Sequence, residues 1–153
     1  MLNQYKDWQY WILQNLQLLY KIYGQDNVVL TGDNWQSMSI RHFVLPDNWG
    51  QETTRLLIIL PAKSKIFYTP PDRFYLEKGL RTITGETPRH YFESKGFNDM
   101  SKQNLARFSF HLKRGWDPKI NCQDGTNLLH IIDGLYKGLD LGAREAMNES
   151  DYG

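Results

Sequence analysis

Tyr5, Trp8, Ile12, Leu16, Leu19 and Tyr23 return every three or four residues, and Gln14, Gln17 and Lys21 fall elsewhere. That is the period of one helical face, so the spacing predicts an amphipathic helix over 1–24 with Gly24 as its stop. Gln4, Lys6, Asp7, Gln9, Gln14, Asn15 and Gln17 interrupt every apolar stretch, so the segment reads as neither signal peptide nor membrane span. After Gly24 the pattern changes to short β-rich runs between turn residues: 27–31 (NVVLT), 38–45 (MSIRHFVL), 53–60 (TTRLLIIL) and 72–77 (DRFYLE), joined by TGDNW and PDNWG. Nothing helical separates them, and parallel strands would each need a long crossover, so a four-stranded antiparallel meander is expected.

Residues 78–104 are polar, hold Gly79, Gly85, Pro88 and Gly96, and keep neither period. A long flap is expected there, because loops of this length in a small domain usually serve function or motion. Alternation returns in 105–116, with Leu105, Arg107, Ser109 and His111 on one side and Ala106, Phe108, Phe110 and Leu112 on the other, a partly buried strand. From Thr126 onward Leu128, Leu129, Ile131, Ile132, Leu135 and Leu139 take helical spacing, with Asp124 or Thr126 as N-cap. Gly134, Gly138 and Gly142 weaken that helix intrinsically. The expected fold class is α+β in one domain over 1–153: helix 1–24, sheet 27–77, flap 78–104, turn and core helix 105–147, and a frayed tail 148–153.

Composition narrows the function. A chain of 153 residues, 41% hydrophobic and 14% aromatic, supports one core and not two. Eighteen Lys and Arg against 17 Asp and Glu give no overall field to attract nucleic acid or anionic lipid, so neither partner is expected without a local patch. His42, His90, His111 and His130 are scattered and a second cysteine is lacking, so no metal is expected. Phosphate-binding glycine loops and the nucleophile elbow are missing too, and no cofactor is expected. Asp47 with Glu52, and Asp99 with Glu93, sit in polar loops where solvation explains them. Trp8, Trp11, Trp35 and Trp49 offer material for a core or for a binding face.

What remains is Cys122, the single cysteine, within RGWDPKINCQDGTNLLHIIDG (114–134). It cannot form an intrachain disulfide, which fits a reducing cytosol and a cytoplasmic protein. A helix opening shortly afterwards would favour its thiolate; Lys119 would add to that effect, and Asp117 and Asp124 would oppose it. A lone cysteine is as readily a small buried hydrophobe.

The stretch TTRLLIILPAKSKIFYTPPDRFYL (53–76) runs strand, proline, loop with an aromatic before Pro-Pro, then strand. It resembles the sheet and P-x-x-Y-P-x-x-P-P segment of ubiquitin-conjugating enzymes. In that family an N-terminal helix precedes a four-stranded antiparallel meander, a flap, a Trp-x-Pro turn and a core helix opening with paired aliphatics. Trp116, Pro118 and Leu128-Leu129 stand in those places. More narrowly, FVLPDNW (43–49), PPDRFYLEKGLR (70–81) and LARFSFHLKRGWDP (105–118) are similar to a divergent bacterial subgroup called prokaryotic family E, over roughly residues 25–140.

The resemblance implies a protein that takes a ubiquitin-like protein from a ubiquitin-activating-like enzyme as a cysteine thioester and passes it to a target amine, in bacterial stress or antiviral defence. Two departures bear on this. The family's His-Pro-Asn, whose Asn steadies the oxyanion, has no counterpart in TPRHYFE (87–93), and its cysteine position, counted back from the Trp, falls at Phe108 or its neighbours. Either the nucleophile has moved to Cys122, with Asn121 or the amides opening the helix as oxyanion donors and His111 as proton acceptor, or the domain is an inert relative. The inert relative would only bind a ubiquitin-like protein or an activating enzyme. An α+β adaptor outside this chemistry is the third alternative.

Overall fold

A computed structural model describes residues 4–32, 35–61, 69–93, 103–112 and 115–152. Helix α1 runs Gln4–Tyr23. Of the expected stripe, Trp8, Ile12, Leu16 and Leu19 lie in the core together with Trp11, Tyr23 is half-buried, and the side chain of Tyr5 lies outside the described ones. Gly24 ends it at φ 90°, with its N–H returning to the Tyr20 carbonyl at 2.9 Å, a left-handed stop that a Cβ would strain.

Strands β1 (Val28–Thr31), β2 (Ser37–Val44), β3 (Thr53–Ile59) and β4 (Arg73–Glu77) form the expected antiparallel meander. The sheet does not stop at four. β6 (Leu105–Phe108) pairs with β4, and β5 (Tyr91–Phe92) pairs with β6, giving the order β1-β2-β3-β4-β6-β5. Two residues are too few to show a period, which hid β5 inside the polar flap. The chain is therefore α+β, an N-terminal helix, a six-stranded antiparallel sheet and a C-terminal helix α2 (Leu128–Tyr152).

Strand alternation sorts two faces. Leu56, Ile58, Phe74, Leu76, Ala106 and Phe108 join the α1 stripe and Leu128, Ile131, Ile132, Leu135 and Leu139 of α2 in the main core. Leu57, Tyr75 and Leu105 point the other way and cluster with Ile59. A bulge in β2 between Ile40 and Phe43 leaves Arg41 and His42 both exposed.

Trp8, Trp11 and Trp49 are buried, and the half-buried Trp35 stacks on Trp8 with centroids 5.6 Å apart, so these aromatics build the core and not a binding face. The first part of the expected flap is packed down. Thr82 bridges Trp49, the Gly50 N–H donates to the Arg81 carbonyl at 2.8 Å, and the Trp49 indole N–H donates to the Leu139 carbonyl at 2.8 Å. The rest of that flap, 94–102, and the loop 62–68 of the Pro-Pro segment lie outside the described residues.

Two end assignments change. Neither Asp124 nor Thr126 caps α2; Asn127 does, its Oδ1 accepting from the Leu129 N–H at 3.0 Å. The helix extends past 148, where a tail was expected, to Tyr152, with Arg89 paired to Glu149. Among the described residues no helix is long and apolar enough to cross a membrane.

Candidate functional site

The loop leading into α2 is built on an aromatic, a threonine and a glycine. Trp116 meets Trp11 of α1 edge-on, centroids 5.9 Å apart, and Pro118 is buried. The Thr126 hydroxyl donates to the Gly115 carbonyl at 2.6 Å and accepts from the Asp117 N–H at 2.9 Å, closing the turn. Gly125 allows the closure: a Cβ there would collide with the Asp117 carbonyl and stand 2.8 Å from the Lys119 amide nitrogen.

Cys122 opens a short 3-10 turn, Cys122–Asp124, packed against α1, and its side chain is 1% exposed. Burial pushes the thiol pKa up; a backbone hydrogen bond opposes this only in part. The expected assistance from the helix N-terminus does not arrive, because the amides there already have partners. Gln14 accepts from the Cys122 N–H at 3.0 Å and donates to the Ile120 carbonyl at 2.8 Å. Asn15, itself buried, accepts from the Leu128 N–H at 2.8 Å and donates to the Trp11 carbonyl at 2.8 Å. Asn127 takes the Leu129 N–H and, at 3.4 Å, the His130 N–H, while its own side-chain amide donates to the Cys122 carbonyl at 3.1 Å. His130 completes a reciprocal cap, Nδ1 accepting from the Asn127 N–H at 3.0 Å, an imidazole where Glu or Gln is usual.

Of the sequence-predicted site residues, Asn121 is exposed beside Cys122 and its Oδ1 accepts from the Gln123 N–H at 3.3 Å. His111 is exposed on the wall of a different hollow, and no hydrogen bond joins it to Cys122 or Asn121 among the described residues. The structure thus keeps Asn121 by the thiol through chain connectivity and leaves His111 apart. Gln14 and Asn15, which hold the loop, were missed as site residues. Asn15 gave one signal, an amide set in the apolar stripe between Ile12 and Leu19.

The hollow that holds His111 is a groove of about 530 Å³ between α2 and the segment following β6. Phe108, Phe110, Leu112 and Leu141 supply apolar walls, and His90, Ser109 and His111 supply polar ones. Phe110 lies over Gly134, where a Cβ would come within 2.8 Å of its ring. The groove's lining includes Phe108 and no cysteine. Among the described residues no three His, Cys, Asp or Glu gather to hold a metal ion. No family model, curated protein or solved structure matches the chain.

Proposed function

We propose that this chain is an inert relative of ubiquitin-conjugating enzymes, a binding module or scaffold that holds a ubiquitin-like protein or its activating enzyme without forming a thioester. The observation that carries this is the burial of Cys122. Thioester exchange requires the sulfur to attack one carbonyl carbon and present it to an amine, which an enclosed thiol with a raised pKa and no spare N–H donors at the adjoining helix start does not do. The partner class rests on the sequence resemblance, and the order of helix, antiparallel sheet, Trp-x-Pro loop and helix supports it. The groove with Leu141 at its edge, 48% exposed, is the surface through which such a module grips its partner.

The test mixes the protein with a ubiquitin-like protein, its cognate activating enzyme and ATP. The expected result is a charged activating enzyme, no reducible adduct on this chain, and retention of a partner by the protein and by Cys122→Ala alike. A reducible adduct absent in Cys122→Ser would overturn this in favour of a transferase with a displaced nucleophile. Failure to retain either partner would remove the ubiquitin connection and leave the α+β adaptor.

A further inference from the structure

The sheet face turned away from the helices carries a second hollow, of about 500 Å³, lined by Val29, Thr31, Ser39, Arg41, Arg55 and Glu77. Register places these side chains together: Val29 stands opposite Ser39 and Ser39 opposite Leu57, while the bulge of β2 delivers Arg41 beside Arg55 of β3. Ser39 is buried, and its hydroxyl accepts from Arg55 Nη2 at 3.2 Å, so one guanidinium is held in position from below.

The charges in this hollow are not balanced internally. Arg81, Arg89, Arg144 and Lys119 each have a carboxylate partner. Arg41 and Arg55 have none among the described residues, although Glu77 lines the same hollow. Two guanidiniums against one unpaired carboxylate leave net positive charge in a concave site, where field lines concentrate. Guanidinium forks match the oxygens of phosphate, and a carboxylate is an acceptor only, so Glu77 repels a second anionic group and accepts from a hydroxyl. That disfavours a polyanionic strand or an acidic peptide. The volume falls within the range of about 300–1,000 Å³ usual for small-ligand sites.

We propose that this hollow binds a small phosphate ester with a hydroxylated body, such as a sugar phosphate, with Arg41 and Arg55 on the phosphate and Glu77 and Thr31 on the hydroxyls. Ribose 5-phosphate is the probe, titrated at constant ionic strength while amide resonances are followed by NMR. Saturable shifts of Val29, Ser39 and Arg55 are expected, with binding at least tenfold weaker in Arg41→Ala, and with Glu77→Gln losing the preference for ribose 5-phosphate over inorganic phosphate. Arg41 is exposed, so its variant decides the matter even if Arg55→Ala fails to fold. Shifts that never saturate, or that are equal in Arg41→Ala, would overturn the site. Inorganic phosphate binding as tightly as the ester would overturn the role of Glu77. A glutamate-rich peptide binding more tightly than the ester would replace the small ligand with a protein partner.

Discussion

Tyr91 shows how a single buried side chain ties stability to pH. Burial pushes its phenol up to about 12, with Glu93 and Glu77 adding and the Leu80 N–H and Arg81 opposing, while its hydroxyl donates to the Glu77 carbonyl. A raised folded-state pKa favours the neutral form, so the contribution is complete below the unfolded value of 10.0 and is lost as pH rises toward about 12. Urea midpoints are therefore expected to fall between pH 10 and 12 in the native protein, and Tyr91→Phe to flatten that fall relative to it. Asn15 gives the complementary case at neutral pH. Asn15→Ala leaves the Leu128 N–H buried without its partner, which costs about 1–3 kcal/mol, while Gln14→Ala, at a part-buried site, costs less. Equal urea midpoints for the two variants would contradict this. The amide of Asn15 was visible in the sequence as a polar break in an apolar stripe, but its partner is 113 residues away. Periodicity reports which face a residue occupies and says nothing of what meets it there. The tryptophans failed in the same way, since an aromatic suits a core and an interface equally well until packing decides.

At the scale of elements, the glycine stripe of α2 separates propensity from packing. Gly134, Gly138 and Gly142 read in the sequence only as weak helix formers, each about 1 kcal/mol worse than alanine. In the fold they differ in what a Cβ would meet, the Arg89 backbone at Gly142 and the Phe110 ring, at two distances, at Gly134 and Gly138. At Gly142 a Cβ would stand 2.8 Å from the Arg89 carbonyl oxygen, and the Arg89 N–H donates to the Gly142 carbonyl, so neither backbone can retreat. At Gly134 the obstacle is the tip of the Phe110 ring, 2.8 Å away, which can swing into the groove. At Gly138 the nearest Phe110 atom is 3.4 Å away, an ordinary contact. Thermal unfolding is thus expected to place Gly138→Ala at or above the native protein, Gly134→Ala below it and Gly142→Ala lowest. A uniform rise across the three would mean that helix propensity alone governs this face. Strands of four to eight residues were legible because period-two alternation survives in them, and helix α1 because its stripe repeats over five turns. β5 was not, since two residues held by Trp49 and β6 carry no pattern. The cap falls at Asn127 and not at the expected Asp124 or Thr126, and the Thr126 hydroxyl is committed to closing the preceding loop.

The whole molecule decides whether Cys122 can ever be reached. Its thiol lies in the same core as Trp11 and Leu128, and the loop around it is tied to α1 through Gln14 and to α2 through Asn127. Helix α1 contributes Trp8, Trp11, Ile12, Leu16 and Leu19 to that core, so lifting it away dismantles the domain instead of opening a door. Alkylation of Cys122 should then proceed only through global unfolding. For a domain of ordinary stability, about 5–15 kcal/mol, iodoacetamide is expected to react on the order of 10³-fold or more slowly than with a model thiol. The opening free energy should also fall with urea along the same slope as equilibrium unfolding, because the same surface is exposed in both. Gln14→Ala removes one tie without removing core side chains, so its labelling should gain a second route with a shallower slope. If the native protein itself labels quickly and almost independently of urea, a small local movement uncovers the thiol under native conditions. The enclosure that argues against thioester chemistry would then be only one of its states, and Cys122 would return as a nucleophile.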